Sequence, residues 1–506
     1  MEKSPELILT FDLGTSALKA VVFDDESRVL YRAQFPIETY RDDDYGQDFQ
    51  KAEDWWRAFT SLMHDIKDTD KISLQNIEKI VSTGQMEDCL LLNDDGQALS
   101  EVLLYSDDRA EKQYSSIKKK AGSQQLARAT AANFDVLMSV NKYLWLRQER
   151  PRYFSRHRHL ILGAKDYINF RLTGKNCTDY TNASTTGFMD IRKNKWNFEL
   201  LNELDFSADR LPELKGAGEK IGEVRPEVAD ELGLASGTMV INGSGDVGAS
   251  TLGAGARKPG DVYAYLGTTG WLAGPIETPN ENPAIYCLSA PDGSGYITAG
   301  AVLNAGSPYD WFLTDILQLQ ENSQDLKFED YRQQEKKVEK IPAGSEGVLF
   351  LPFLRGERSP FELSEKSGAF LGLGGMHTQA HLARSVLEGV GYSLKHNLEK
   401  MLPADNVEKI NLIGGGSKSQ IWPQIIADIL EVKVTTLQLR ATAPSLGALI
   451  IARQKKDFFS GEKEMNFSHL YEIKNQFTPE PDNQDVYSQG YERYRALLEK
   501  VQEVEE

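Results

Sequence analysis

The sequence predicts an α/β protein made from two copies of one strand-rich domain, and three observations carry that expectation. The hexamers "FDLGTS" (Phe11 to Ser16) and "AYLGTT" (Ala264 to Thr269) share Leu-Gly-Thr and a following hydroxyl residue, half a chain apart, each between two apolar β runs. Strand-like runs are followed by segments of helical period, as "AEDWWRAFTSLMHDI" follows the opening meander, which argues for layered α/β rather than a helical bundle. The chain of 506 residues exceeds what one core fills, and Gly, Ala and Pro cluster in "GAGARKP", from Gly253 to Pro259. The expected domains are therefore 1–252 and 253–506.

The elements follow in order. "ELILTFD" reads as a strand, Gly-Thr-Ser as a tight turn, "ALKAVVFD" as a second strand, and "DDES" as the turn into a third. The aromatic stripe "DWWRAF" belongs to the packed face of the helix that follows. Then "IEKIV" and "CLLL" flank the polar stretch "STGQMED", which has neither Asn-Gly nor Asp-Gly to make it an ordinary hairpin. Helical patterns dominate from Asp108 to about Arg150. In the second half, Thr378 to Met401 reads as a core-packed helix, and "INLIGGGSKSQIWPQIIADIL" as a strand, three glycines and a helix opening in the Ser417 to Ser419 region.

Composition narrows the partners. A formal net charge of −18 disfavours a nucleic-acid backbone or an anionic membrane and points to a small metabolite. No run approaches the ~18 apolar residues of a membrane span. The start, "MEKSPELILTFD", lacks the pattern of a signal peptide. Cys89, Cys177 and Cys287 are far apart and form no Cys-x-x-Cys pair, so a reducing cytoplasm is expected.

A Gly-Thr-Ser turn between strands directs successive N–H groups and hydroxyls at one point, a way to hold phosphate without a net positive pocket. Two such turns in duplicated domains suit a nucleotide triphosphate caught between them. Asp12 precedes the first, where Tyr265 stands in the second. A carboxylate beside a phosphate loop repels its ligand unless a divalent cation lies between, so Asp12 is the expected Mg²⁺ ligand. Asp246 is the one ionisable residue between Val240 and Ala256, amid small residues, and is the expected general base for an attacking hydroxyl. The glycines of "IGGGSKS" would let a flat ring or sugar lie against backbone. Neither the dinucleotide-binding glycine spacing nor a Gly-x-x-x-x-Gly-Lys-Ser/Thr loop is present. His377 and His381 read as surface or capping residues, and His157 and His159, among arginines, as a solvated basic spot.

Taken together, "FDLGTSALKAVVFD", "GQM", "SDDRA", "AKDYINFRLTG", "NASTTGFMDI", "NGSGDVGAS", "YLGTTG", "FLPFLRGERSPF", "LARSVLEGVGYSL" and "IGGGSKSQIWPQIIADIL" resemble, in order, the motifs of the FGGY carbohydrate kinases over nearly the whole chain. That resemblance implies two ribonuclease-H-like domains of the actin and sugar-kinase ATPase fold, with ATP and Mg²⁺ in the cleft between them. By position it implies Asp12 as the magnesium-linked aspartate, with Thr15, Ser16 and Lys19 at the first phosphate loop and Gly267, Thr268 and Thr269 at the second. It implies Gly306, Asp310, Gly415 and Ser419 at the nucleotide, Asp246 as base, and Gln85, Met86, Glu87 and Asp107 at the sugar or polyol.

Within the family the chain is most similar to xylulose kinases. Those carry Gln-Met-His-Gly where this sequence has Gln85-Met86-Glu87-Asp88, and Trp-Asn-Asp-x-Arg where it has Tyr105-Ser106-Asp107-Asp108-Arg109. Glycerol kinases carry Gln-Arg-Glu at the first of these places. The expected partners are thus a small sugar and ATP, with a homodimer left open. The alternatives are a kinase for ribulose, glycerol, erythritol or gluconate, a same-fold ATPase switch, and a silent sugar-binding regulator.

Overall fold

A computed structural model describes residues 6–69, 72–130, 134–280, 282–361, 363, 366–403, 407–459 and 467–505. In the first lobe β1 (Leu7–Leu13), β2 (Ala17–Phe23) and β3 (Val29–Pro36) form an antiparallel meander, followed by α1 (Ala52–Asp68) and β4 (Ile77–Gly84). After β4 come α2 (Ser139–Glu149), α3 (Ala164–Thr173), β5 (Lys220–Glu223), β6 (Met239–Gly245) and α4 (Asp246–Gly253). The sheet order is β5-β6-β4-β1-β2-β3, with β1, β4 and β6 mutually parallel.

The second lobe contains β7 (Val262–Leu266), β8 (Gly270–Ile276), β9 (Tyr286–Ser289), β10 (Tyr296–Val302), α5 (Gln379–Met401), β11 (Lys409–Gly414) and α6 (Trp422–Leu430). It ends with β12 (Lys433–Leu439), α7 (Ala443–Gln454), β13 (Tyr471–Phe477) and α8 (Pro481–Glu505). Its sheet runs β9-β10-β8-β7-β11-β12-β13. From β10 to β13 the pairings are antiparallel, antiparallel, parallel, parallel, antiparallel. From β3 to β5 the first sheet shows the same series. The short Leu-Gly-Thr match is the sequence trace of that shared topology.

Strand parity decides which side chains face the other lobe. Leu7, Leu9, Phe11 and Leu13 pack outward against Trp55, Phe59 and Leu62 of α1 and Tyr167 of α3, so the aromatic stripe is core. Ile8, Val21 and Val81 face a shared middle layer with Leu446, Leu449 and Ile450 of α7 and with Tyr263 of β7. Asp12 has the parity of Ile8, and Tyr265 that of Tyr263. Both therefore belong to the faces turned toward the other lobe. In the second lobe α5, α6 and the tyrosines of α8 cover the outer face.

The middle layer holds α4 against α7. Their contact is made by backbone: a Cβ on Gly253 would stand 1.9 Å from the Ala443 carbonyl oxygen. A separate cluster, including Tyr143 and Trp145 of α2 with Phe188 and Phe206, forms the insertion between β4 and β5. There the expectation for His157 fails: it is fully buried, its ring between the Phe154 carbonyl (2.5 Å) and the Tyr143 hydroxyl (3.2 Å), and burial pushes its pKa down to about 4. Flanking arginines suggested solvent, but their side chains leave while the imidazole packs inward. His381 does act as a cap, its Nδ1 accepting the Thr378 N–H at the start of α5. A single 3-10 turn, Gly416–Lys418, starts at the last of the three glycines, and the α-helix itself begins later, at Trp422. Ser419 Oγ caps it by accepting the Trp422 N–H at 3.0 Å.

Candidate active site

Three parallel strands end on one edge of the first sheet. Gly84, the last residue of β4, pairs with Leu13 of β1 on one side and Gly245 of β6 on the other. The first Gly-Thr-Ser turn, the Gln85 loop and Asp246 thus start side by side, at the carboxyl edge where open α/β sheets present their ligand sites. In the second lobe Leu266 of β7 pairs with Gly414 of β11, bringing Gly267 and Thr268 beside Gly415.

A cleft of about 1920 Å³ is lined by Asp12, Thr15, Ser16, Lys19, Asp246, Thr269 and Ser419, residues of both lobes. A second cavity, of about 350 Å³, is lined by Gly267, Thr268, Gly306, Asp310, Gly415 and Ser419. Every residue expected at the nucleotide thus lines one of two cavities, and Ser419 lines both. The second Gly-Thr turn is strapped down by backbone: the Gly306 N–H donates to the Gly267 carbonyl at 2.8 Å and the Ser307 N–H to the Thr268 carbonyl at 3.0 Å. A Cβ at Gly306 would lie 2.5 Å from the Gly267 oxygen, so this close approach requires glycine. Asp310 accepts the Tyr331 hydroxyl at 2.7 Å.

Asp12 lies across from Lys19 in the β1–β2 register. Burial pushes its carboxyl up to about 6 against the pull of Lys19, and its Oδ1 has no hydrogen-bond partner among the described residues. Asp246, the first residue of α4, is pushed up to about 7 by burial and by the charge of Asp12. A buried carboxylate with a bare oxygen, whose charge raises a second buried carboxyl, fits a divalent cation. Among the described residues no group of three His, Cys, Asp or Glu side chains could hold a metal by itself, so such an ion would keep waters or ligand oxygens.

The "STGQMED" stretch leaves β4 and turns at Glu87, whose φ is +63°. Met86 reaches back to the end of β6: a Cβ on Gly245 would lie 2.2 Å from its sulfur, so a side chain there, one residue before Asp246, would displace the thioether. Gln85 donates to both oxygens of Asp88 at 3.2 Å, and its own Oε1 is a buried acceptor without a donor among the described residues. Gln85 also donates to Gln50 Oε1 at 3.4 Å, while Gln50 Nε2 donates to the Thr15 carbonyl at 2.6 Å. One amide thereby joins this loop to the first Gly-Thr-Ser turn.

Glu87 is pushed up to about 8 by burial and by Asp135, against the pull of Lys142 and Arg358. Lys142, fully buried on α2, donates to the Glu87 carbonyl at 2.9 Å, and burial lowers its pKa despite Glu87 and Asp88. Asp107 is also fully buried, but Arg109 Nε lies 2.9 and 2.8 Å from its two oxygens. Sequence reasoning missed Gln50, Asp88, Lys142 and Arg358. Asp88 was adjacent to a flagged residue; the other three lie far along the chain, and no local pattern marks them.

Two lobes of shared topology, each offering a Gly-Thr turn to a common cleft, define the actin and sugar-kinase ATPase fold. The family models say which branch: residues 7–253 match the N-terminal domain and residues 262–453 the C-terminal domain of the FGGY family of carbohydrate kinases, and the chain belongs to that family. A xylulose kinase of Bacillus subtilis (strain 168) is 28% identical over 495 residues, covering 97% of this chain and 96% of that protein. Among solved structures, a gluconate kinase from Lactobacillus acidophilus superposes with a TM-score of 0.87 at 27% identity over 98% of each chain. The ligand-bound xylulose kinase from the same organism gives 0.86 at 26% identity, again over 98% of each. The protein is a carbohydrate kinase, and the family implies ATP as phosphoryl donor. Among the described residues no helix is long and apolar enough to cross a membrane.

Proposed function

We propose that the chain phosphorylates a primary hydroxyl of a small sugar, a pentulose such as D-xylulose, using ATP with Mg²⁺. The observation that carries this reading is the contact of Met86 with Gly245, which brings the sugar loop against the base at the rim of the nucleotide cleft. Asp246 takes the proton of the hydroxyl as its oxygen bonds to the γ-phosphorus. The bond from that phosphorus to the β,γ-bridging oxygen breaks, and its electron pair leaves with ADP. Thr15, Ser16, Thr268 and Thr269 hold the phosphates with backbone N–H groups and hydroxyls, Lys19 beside them. Gly306, Asp310, Gly415 and Ser419 hold the adenosine. Asp12 would hold Mg²⁺, which when bound neutralises charge on the phosphate oxygens. Gln85, Met86, Glu87 and Asp107 form the sugar site, Asp107 acting with Arg109 as a pair.

In this reading residues 1–252 hold sugar and the first phosphate loop, and residues 253–506 the second loop and adenosine. All strands of the first sheet precede Asp246 and all strands of the second follow Asp261, which supports that division. A reducing cytoplasmic setting accords with three buried, unbridged cysteines. A homodimer is part of the proposal only as an assembly to be measured.

A second substrate class has its own support. Arg358, on the second lobe, is exposed and makes no side-chain ion pair among the described residues, yet its charge is felt at Glu87 and Asp135. Burial holds Glu87 toward its protonated form, and Arg358 beside it would suit the carboxylate of a sugar acid.

The catalytic assignment is tested by Asp246→Asn. The variant is expected to fold as the parent does by circular dichroism while kcat falls by ~10²–10⁴. Near-normal turnover would contradict the role given to Asp246.

A further inference from the structure

Asp179 is fully buried and belongs to none of the loops assigned above. Its Oδ1 accepts the N–H groups of Thr181 at 2.9 Å and Asn182 at 3.2 Å, capping the short helix Tyr180–Ser184. The same oxygen lies 3.3 Å from Ser244 Oγ. Its Oδ2 accepts the N–H of Gly245 at 3.2 Å and pairs with Lys165 Nζ at 2.9 Å. Lys165 is itself buried and also pairs with Asp166.

A helix cap needs one oxygen, and the second oxygen here serves a different element. Gly245 and Ser244 are the last two residues of β6, and Asp246 follows directly as the first residue of α4. The far side of the capped helix reaches the second lobe: Thr181 Oγ1 donates to the Ser289 carbonyl at 2.9 Å, and the Ser289 N–H donates to Ser184 Oγ at 2.8 Å. Ser289 closes β9, the outer strand of the second sheet. One carboxylate therefore ties the backbone carrying Asp246 to a strut that bridges the lobes.

We infer that Asp179 is a positioning residue: through the Gly245 N–H it sets where Asp246 stands relative to the cleft, with Lys165 holding the carboxylate in place. This rests on the reading of Asp246 as the base. A displacement of about 1 Å at a reacting group can lower the rate ~10²-fold, so a single backbone anchor suffices for a kinetic effect.

The test separates capping from positioning. In Asp179→Ser the hydroxyl still caps the helix but is too short to reach Gly245, and in Asp179→Asn a cap oxygen remains while an amide replaces the second acceptor. Each variant is to be assayed with ATP, Mg²⁺ and the preferred sugar, alone and combined with Asp246→Asn. Expected is a ~10–10²-fold lower kcat with KM for both substrates within about threefold, and no further loss in the Asp246→Asn background. Should Asp179→Ser not fold, Asp179→Asn carries the same expectation. Unchanged kcat, or an equal loss in both backgrounds, overturns the inference and leaves the base assignment standing. Near-normal turnover of Asp246→Asn alone overturns the base assignment itself.

Discussion

Gly447 on α7 meets Ala249 on α4 so closely that a Cβ at position 447 would stand 1.9 Å from the Ala249 carbonyl oxygen. The contact is reciprocal, since Gly253 of α4 faces Ala443 of α7 in the same way. Small residues at these positions let the two middle-layer helices touch by backbone, and both sheets rest on that layer.

Gly447→Ala should therefore wedge the lobes apart. The added methyl meets main-chain atoms that cannot rotate away, and overpacking of this kind costs about 1–3 kcal/mol. Gly375→Ala is the control, because a Cβ there has nothing within 4 Å. Thermal melts should show a lower Tm for the first variant and little change for the second. Equal melting temperatures would refute the close contact.

Glu87 should govern which acceptor is used. A site that bonds hydroxyls discriminates strongly, because the wrong ligand leaves buried polar groups unpaired. Histidine tolerates a positive φ better than most residues, so Glu87→His tests chemistry rather than backbone strain. The ratio of kcat/KM between D-xylulose and D-gluconate should change at least about tenfold. An unchanged ratio would remove Glu87 from the substrate site.

Glu357 should make stability fall as pH rises. It is 2% exposed, its Oε1 accepts the N–H groups of Leu303 and Arg358, and its Oε2 has no partner among the described residues. Burial raises its carboxyl from 4.5 to about 7. Between those pH values the folded chain holds a proton that the unfolded chain has lost. That contribution is complete below the unfolded value and is lost as pH rises through the folded one. Relative to Glu357→Gln, which has no proton to lose, the parent should weaken by roughly 3 kcal/mol from pH 4.5 to pH 8. Urea denaturation of both proteins at pH 4.5 and 8 measures the difference, and parallel pH curves would contradict it.

The two Gly-Thr turns were legible as turns because β-turn-β is local: strand alternation, Gly and a hydroxyl residue lie within one short window, twice. The Gln85 loop was legible for the opposite reason, since a polar stretch without hairpin residues breaks two apolar strands. Its electrostatic partners were not. Lys142 stands on a helix that reads as packing, and Arg358 comes from the other lobe, so neither shares a periodic signal with Glu87. His157 misled because neighbouring charges describe the outside of a turn and say nothing of where one ring in it points. Gln50 was silent too, because a glutamine acts as a bridge only once both ends are placed.

The proposed reaction moves the γ-phosphoryl group of ATP to a sugar hydroxyl. It is tested most directly by ADP formation with Mg²⁺, measured with no acceptor and with each of D-xylulose, D-ribulose, glycerol, erythritol and D-gluconate, together with the phosphorylated product. The expected result is one acceptor, D-xylulose foremost, giving ADP and phosphorylated sugar in equal amounts and far above the acceptor-free rate. ADP forming equally fast without any acceptor, and no phosphorylated product, would contradict the claim and favour a nucleotide-driven switch on the same fold.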